Sequence, residues 1–177
     1  MQRWVISDHH FGHYNIIKYC ERPFQSLAKM EQHMIKMHNE TVKKRDKVYF
    51  LGDFGLSKKE HLQEIISLLN GHLILILGNH DRRRSYNTWF ELGFNEVYKN
   101  PIIIDNNFIL SHEPTSLDKE GYFHNIHGHL HHYILDKDRY TNVCVEIVDY
   151  KPVGLDELVK TIRARSSENR ALGYEPS

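Results

Sequence analysis

Five times along this chain an apolar, β-prone run stops, and side chains able to bind a metal follow within a residue or two. Trp4-Val5-Ile6-Ser7 leads into Asp8 and His10. Lys47 to Leu51 leads into Gly52-Asp53, and His72 to Leu77 into Gly78-Asn79-His80-Asp81. Phe108-Ile109-Leu110 runs through Ser111 to His112, and Phe123 to Ile126 leads to Gly128-His129 and His131. Strand ends in a layered α/β domain deliver their loops to one edge, where ligand sites form. The recurrence therefore constrains the chain to an α/β architecture in which these five ends converge.

The intervening segments supply the layers. Ser26 is a plausible N-cap for a helix to about Arg45, with the stripe Leu27, Met30, Met34, Met37, Thr41 and Val42. Lys43-Lys44-Arg45 would close it, where cations suit the helix dipole. Ser57-Lys58-Lys59-Glu60 reads as a capping box opening a second helix, which Asn70-Gly71 ends. The unbroken apolar run at 72–77 suits a strand covered on both faces. Ser85 to Leu92 reads as a short helix. Asp105-Asn106-Asn107 between two apolar triplets is a hairpin signal. Val143 to Ile147 reads as a strand, and a last helix from about Leu155 buries Leu155, Leu158, Val159 and Ile162. The 177 residues suffice for one domain, expected over 1–165, with a polar tail at 166–177 that frays.

A formal net charge of zero gives no global field to draw the protein onto nucleic acid or an anionic membrane. Cys20 and Cys144 lie far apart and read as free thiols in a reducing compartment. No stretch reaches the ~18 apolar residues of a membrane span, and no leader pattern opens the chain. The expectation is a cytoplasmic protein.

The donors at the strand ends have chemical meaning as a set. Mixed nitrogen and oxygen donors suit Mn²⁺, Fe, Zn²⁺, Co²⁺ or Ni²⁺ better than Ca²⁺ or Mg²⁺. Asp8, His10, Asp53, Asn79, His112, His129 and His131 are too many for one tetrahedral ion and suit two metals sharing a carboxylate. Two metals ~3.5–4 Å apart are a standard device for hydrolysing phosphate esters. His129 and His131 alternate, so in extended backbone both face one side.

The ordered set Asp8-x-His10, Gly52-Asp53, Gly78-Asn79-His80-Asp81, His112, Gly128-His129-x-His131 resembles the calcineurin-like metallophosphoesterase superfamily, in family order from residue 8 to residue 131. The small bacterial and phage phosphoesterases are the nearest likeness. The Asp-Arg-Gly extension of the protein serine/threonine phosphatases is missing after Gly52-Asp53. The resemblance implies a four-layer αββα sandwich, two mixed β-sheets flanked by helices. It implies two divalent metal ions, Mn²⁺ foremost: Asp8, His10 and His131 on the first, Asn79, His112 and His129 on the second, Asp53 bridging. It further implies attack by a hydroxide that bridges the metals, His80 at the leaving group, and Asp81 orienting His80.

The substrate expected is a phosphate-ester small molecule or nucleotide, with a phosphodiester favoured over a phosphomonoester and no membrane partner. The rivals are a nucleic-acid-processing nuclease and a catalytically silent metal-binding scaffold; the intact set of seven ligands and His80 weighs against the latter. Arg82-Arg83-Arg84 reads as a solvated helix entrance or as a phosphate contact. Tyr86, Trp89 and Tyr122 could stack a base. His33, His38, His61 and His72 read as surface or core histidines. His9, His13, His124, His127 and His132 lie beside the motifs, and the run Phe11-Gly12-His13-Tyr14-Asn15 is too specific for a spacer.

Overall fold

The structure is a computed structural model and describes residues 1–118, 121–135 and 138–171, the side chains of 169–171 excepted. Strand β1 (Arg3–Ile6) pairs in parallel with β2 (Lys47–Phe50), β2 with β3 (His72–Ile76), and β3 with β4 (Glu96–Tyr98). Strand β9 (Val153–Gly154) adds antiparallel to β1, giving the order β4-β3-β2-β1-β9. The second sheet runs β5 (Ile102–Ile104), β6 (Phe108–Ser111), β7 (His124–His127) and β8 (Tyr140–Asn142), antiparallel only at β5-β6. Both sheets are thus mixed, and helices flank them, as the family resemblance implies.

Alternation along the central strands builds two cores. Val48, Phe50, Leu73 and Leu75 point to the helices α2 (Leu27–Thr41), α3 (Lys59–Leu68) and α4 (Tyr86–Leu92), which follow the one-turn helix α1 (Ile16–Tyr19). Tyr49, Leu51, Ile74 and Ile76 point between the sheets, against Phe108, Leu110 and Ile126, where Leu155, Val159 and Ile162 of α5 (Leu155–Ala171) join them. Both faces of β3 are covered, which is why its sequence shows no polar alternation.

Several local expectations need correction. Helix α2 is capped by the Ser26 hydroxyl but stops at Thr41, because Val42 turns extended and Asp46 takes the Lys43 amide. The Lys43-Lys44-Arg45 run therefore lies outside the helix. The capping box does not form: Lys58 is the N-cap of α3 with no side-chain cap bond, and Ser57 lies against Gly12 instead. The hairpin does form, with Asp105 and Asn106 at positive φ as its turn requires. Only the start of 143–147 is extended. Cys144 bridges Ser7, and the chain then turns through 145–150 with Asp149 and Tyr150 at positive φ. Helix α5 holds the first residues of the expected polar tail as far as Ala171; 172–177 lie outside the described residues. Among the described residues no helix is long and apolar enough to cross a membrane.

Two buried histidines make stability fall with acid. His38 stacks on Phe50 and donates from Nε2 to the Asn70 carbonyl (2.7 Å), and burial pushes its pKa down to about 4. His124, bonded to the Thr141 hydroxyl, is likewise pushed down to about 4 by burial and then by Arg139. In the unfolded chain each titrates near ~6.5. The unfolded state then binds more protons between these values, so the stability is complete above pH 6.5 and is lost as pH falls towards 4. Each histidine is worth up to roughly 3 kcal/mol over that window. Urea unfolding in chelator at pH 7 and 4.5 should show the loss, and His38→Gln should flatten the slope; an unchanged slope would show that His38 does not drive it.

Candidate metal centre

The five strand ends converge as the sequence requires. Backbone bonds lace the first two together: the Asp8 amide donates to Gly52 O, His10 to Asp53 O, and Phe11 to Phe54 O. The Ser7 amide donates to Val143 O, and Val145 to Ser7 O, which ties the first sheet to the second at the same place. Asp8, His10, Asp53, His129 and His131 all sit at positive φ. This left-handed backbone costs a non-glycine residue roughly 1 kcal/mol or more and collects at functional sites. Two glycines permit the close approach. A Cβ on Gly78 would meet Asp53 Oδ1 at 2.2 Å, and one on Gly128 would meet Asp8 Oδ2 at 2.3 Å.

The donors fall into two groups. In the first, His10 Nε2 lies 3.8 Å from Asp8 Oδ1, and His131 Nε2 lies 4.0 Å from it. Asp8 Oδ2 is saturated by the Ser7 hydroxyl (2.5 Å), the His129 amide (2.8 Å) and the Cys144 thiol (3.2 Å). Its Oδ1 is buried without a partner, and so are both ring nitrogens of His10. In the second group, His112 Nε2 approaches Asn79 Oδ1 (2.8 Å) and His129 Nδ1 (3.1 Å). The His112 Nδ1 hydrogen is given to the Leu51 carbonyl (2.9 Å), leaving Nε2 as the free lone pair. Asp53 joins the groups: its Oδ2 lies 3.6 Å from His10 Nε2 and 3.5 Å from His112 Nε2. Two donors of one ion with bonds near 2.1 Å stand roughly 3–3.5 Å apart. The bare, buried atoms and these spacings fit divalent cations.

His80 is not drawn into either group. Its amide donates to Asp53 Oδ1 (2.9 Å), its Nε2 stands 3.8 Å from Asp53 Oδ2, and its ring is partly exposed. Asp81 does not orient it. The carboxylate of Asp81 turns inward, with Oδ1 accepting from the Phe54 amide (3.1 Å) and Oδ2 from the Gly78 amide (2.9 Å), and His80 Nδ1 has no partner. Asp81 instead clamps the Asp53 loop to the Asn79 loop. Burial, then the nearby Asp53 charge, raise its pKa to about 7.

Two supporting residues escape a sequence reading. Glu146, in the turn after Cys144, accepts from His131 Nδ1 (3.0 Å) and fixes which nitrogen faces the site. Arg22, buried, donates to Glu146 (2.7 Å) and to the backbone carbonyls of Asp8 (2.7 Å) and His9 (2.8 Å). Glu146→Gln should therefore weaken metal binding at the His131 group about 10–100-fold while sparing the other, as a two-site Mn²⁺ titration would show. Equal affinities in variant and parent would remove this role.

The remaining candidates divide plainly. His9 and His127 are buried, and His132 lies tilted against exposed Tyr133. Trp89 is fully buried and the Tyr86 ring has Lys99 Nζ over it (4.8 Å) with Phe90 edge-on, so both are already occupied, whereas Tyr122 is exposed in a cavity beside α5. Arg82 faces Glu113 (3.7 Å) and Arg84 is bound to the Ser57 carbonyl. Arg83 is exposed with no side-chain partner among the described residues, and its charge bears on His80.

A two-sheet α/β fold that gathers nitrogen and oxygen donors at its strand ends is the framework of a metal-dependent phosphoesterase. The chain belongs to the calcineurin-like phosphoesterase family, whose model matches residues 1–170. It is 41% identical to the uncharacterized protein MJ1445 of Methanocaldococcus jannaschii, over 90% of each chain. It is also similar to the crystal structure of a protein of unknown function, AQ665, from Aquifex aeolicus, with a TM-score of 0.71 and 29% identity, covering 90% of this chain and 98% of that one.

Proposed function

We propose that this chain is a two-metal phosphodiesterase. One observation carries the reading: a single oxygen, Asp53 Oδ2, stands at nearly equal distance from one imidazole of each donor group, 3.6 Å from His10 and 3.5 Å from His112. Asp8, His10 and His131 would hold one ion, Asn79, His112 and His129 the other, and Asp53 both. Two such ions, Mn²⁺ foremost, would supply charge to the phosphoryl oxygens and acidify water. His80, whose backbone is tied to Asp53 while its ring stays open to solvent, serves the leaving oxygen.

The arginines support a diester. Arg82 faces Glu113 and Arg84 is bound to the Ser57 carbonyl, which leaves Arg83, among the described residues, as the one of the three beside His80 with neither a side-chain hydrogen bond nor an ion pair. One free guanidinium matches the single negative charge of a diester better than the dianion of a monoester. The same count weighs against a basic groove for a long nucleic acid. The test compares hydrolysis of bis-p-nitrophenyl phosphate and p-nitrophenyl phosphate by the Mn²⁺-loaded protein. The diester should have the higher kcat/KM, by about tenfold or more. A preference for the monoester overturns the substrate class, and no hydrolysis of either at full metal occupancy overturns the activity.

A further inference from the structure

His13 belongs to neither donor group, yet its ring lies against rings of both His10 and His80. The loop that carries it is anchored on three sides. Gly12, at φ +78, lies so close to Ser57 that a Cβ would sit 2.2 Å from the Ser57 Cβ. The Gly12 amide donates to Glu31 Oε1 (2.7 Å), a largely buried carboxylate that His61 Nε2 also contacts (3.0 Å). The His13 amide donates to the His10 carbonyl (3.0 Å). The ring so presented stands 5.5 Å from the His10 ring and 6.4 Å from the His80 ring, with Tyr19 packed edge-on behind it. Its Nδ1 is buried and without a hydrogen-bond partner. Nδ1 of His80 is likewise buried and bare, so in both rings Nε2 is the nitrogen left to meet a substrate.

We infer that His13 is a second leaving-group residue, paired with His80, and that the substrate is a phosphodiester whose leaving group is a poorly acidic alcohol. The inference rests on the phosphodiesterase reading. In hydrolysis the bond between phosphorus and the leaving oxygen breaks, and water supplies the oxygen that replaces it. The leaving oxygen takes a proton from His80, which solvent restores, while His13 donates a hydrogen bond to the same oxygen and keeps its own proton. A nitrophenolate departs without such help; an alkoxide does not. Two imidazoles on one oxygen are therefore of use chiefly where the alcohol is a poor leaving group. The exposed ring of Tyr19, edge-on to His13, is available to the alcohol portion.

The test is a series of methyl aryl phosphates that differ only in the acidity of the phenol, assayed with the Mn²⁺-loaded protein, His13→Ala and His13→Gln. His13→Ala should lose about 10²-fold in kcat on the least acidic phenol and far less on nitrophenol, with Mn²⁺ content unchanged. His13→Gln, which retains an N–H donor, should recover part of that loss. Equal losses across the series, or loss of Mn²⁺ from both variants, overturn the inference. If the parent protein hydrolyses none of the series, the phosphodiesterase reading fails, and inorganic phosphate binding to the Mn²⁺-loaded proteins decides this point alone. Weaker binding in His13→Ala then supports a contact with the oxygen in the leaving position, and equal binding overturns it.

Discussion

Asp53→Asn is expected to abolish high-affinity metal binding at both positions and to lower kcat/KM by ~10³-fold or more. The substitution keeps size and shape. Its amide can retain the Oδ1 acceptor for the His80 amide, so the loop between β2 and α3 keeps its anchor. What changes is Oδ2, which faces His10 Nε2 at 3.6 Å and His112 Nε2 at 3.5 Å, one imidazole from each donor group. Replacing it with an amide nitrogen removes a charge and a lone pair from both sides at once. The fold should not suffer. Asp81 is fully buried, and the Asp53 charge is, after burial, what raises its pKa to about 7. Removing that charge relieves Asp81, so the metal-free variant should melt at the parent's temperature or above it. The upward shift of Tm that Mn²⁺ gives the parent should disappear. Retention of both ions at parental affinity would show that Asp53 Oδ2 bridges nothing.

The same residues show what a sequence can and cannot carry. The blocks at 8–10, 52–53, 78–81, 112 and 128–131 are legible because each is local: an apolar strand followed at once by donor side chains. The strands alone state an α/β domain in which both faces of β3 are covered, whereas the second sheet is implied by the resemblance and not by any pattern along the strands. The roles of Glu146 and Arg22 are not local. Their contact spans 124 positions, and Glu146 sits in a stretch whose composition reads as strand until Asp149 and Tyr150 take positive φ. That turn has no glycine to announce it. Asp81 misleads for a related reason. Its neighbour in sequence is His80, but the 3₁₀ turn that begins at Asp81 points its carboxylate under the loop, where two backbone amides reach it. Adjacency suggests the nearer partner; buried amides decide the actual one. The loop of His13 is intermediate: its motif is visible, but the bare ring nitrogen appears only in three dimensions.

Removal of the His80 ring should separate chemistry from metal binding. In His80→Ala both ions stay, kcat falls about 10²–10⁴-fold, and KM changes little. The backbone supports the first part: the position 80 amide, not the ring, bonds Asp53 Oδ1, so alanine preserves the contact that sets the carboxylate. The ring itself accounts for little structure. It is partly exposed, its Nδ1 has no partner, and its contacts are edge-on to His10 (5.4 Å) and tilted to His13 (6.4 Å). The loss should appear equally in kcat and kcat/KM, the pattern of an interaction made only in the transition state. A drop in metal affinity of tenfold or more would instead make His80 a ligand, with its Nε2, 3.8 Å from Asp53 Oδ2, closing onto the same ion as His10. Because the Asp81 carboxylate does not touch the ring, Asp81→Asn should not reproduce the His80→Ala phenotype. It keeps one acceptor for the two amides it clamps, and its cost should fall on Tm before it falls on kcat. Measuring both variants side by side, metal content first and turnover second, distinguishes a histidine that works alone from one that depends on its neighbour in sequence.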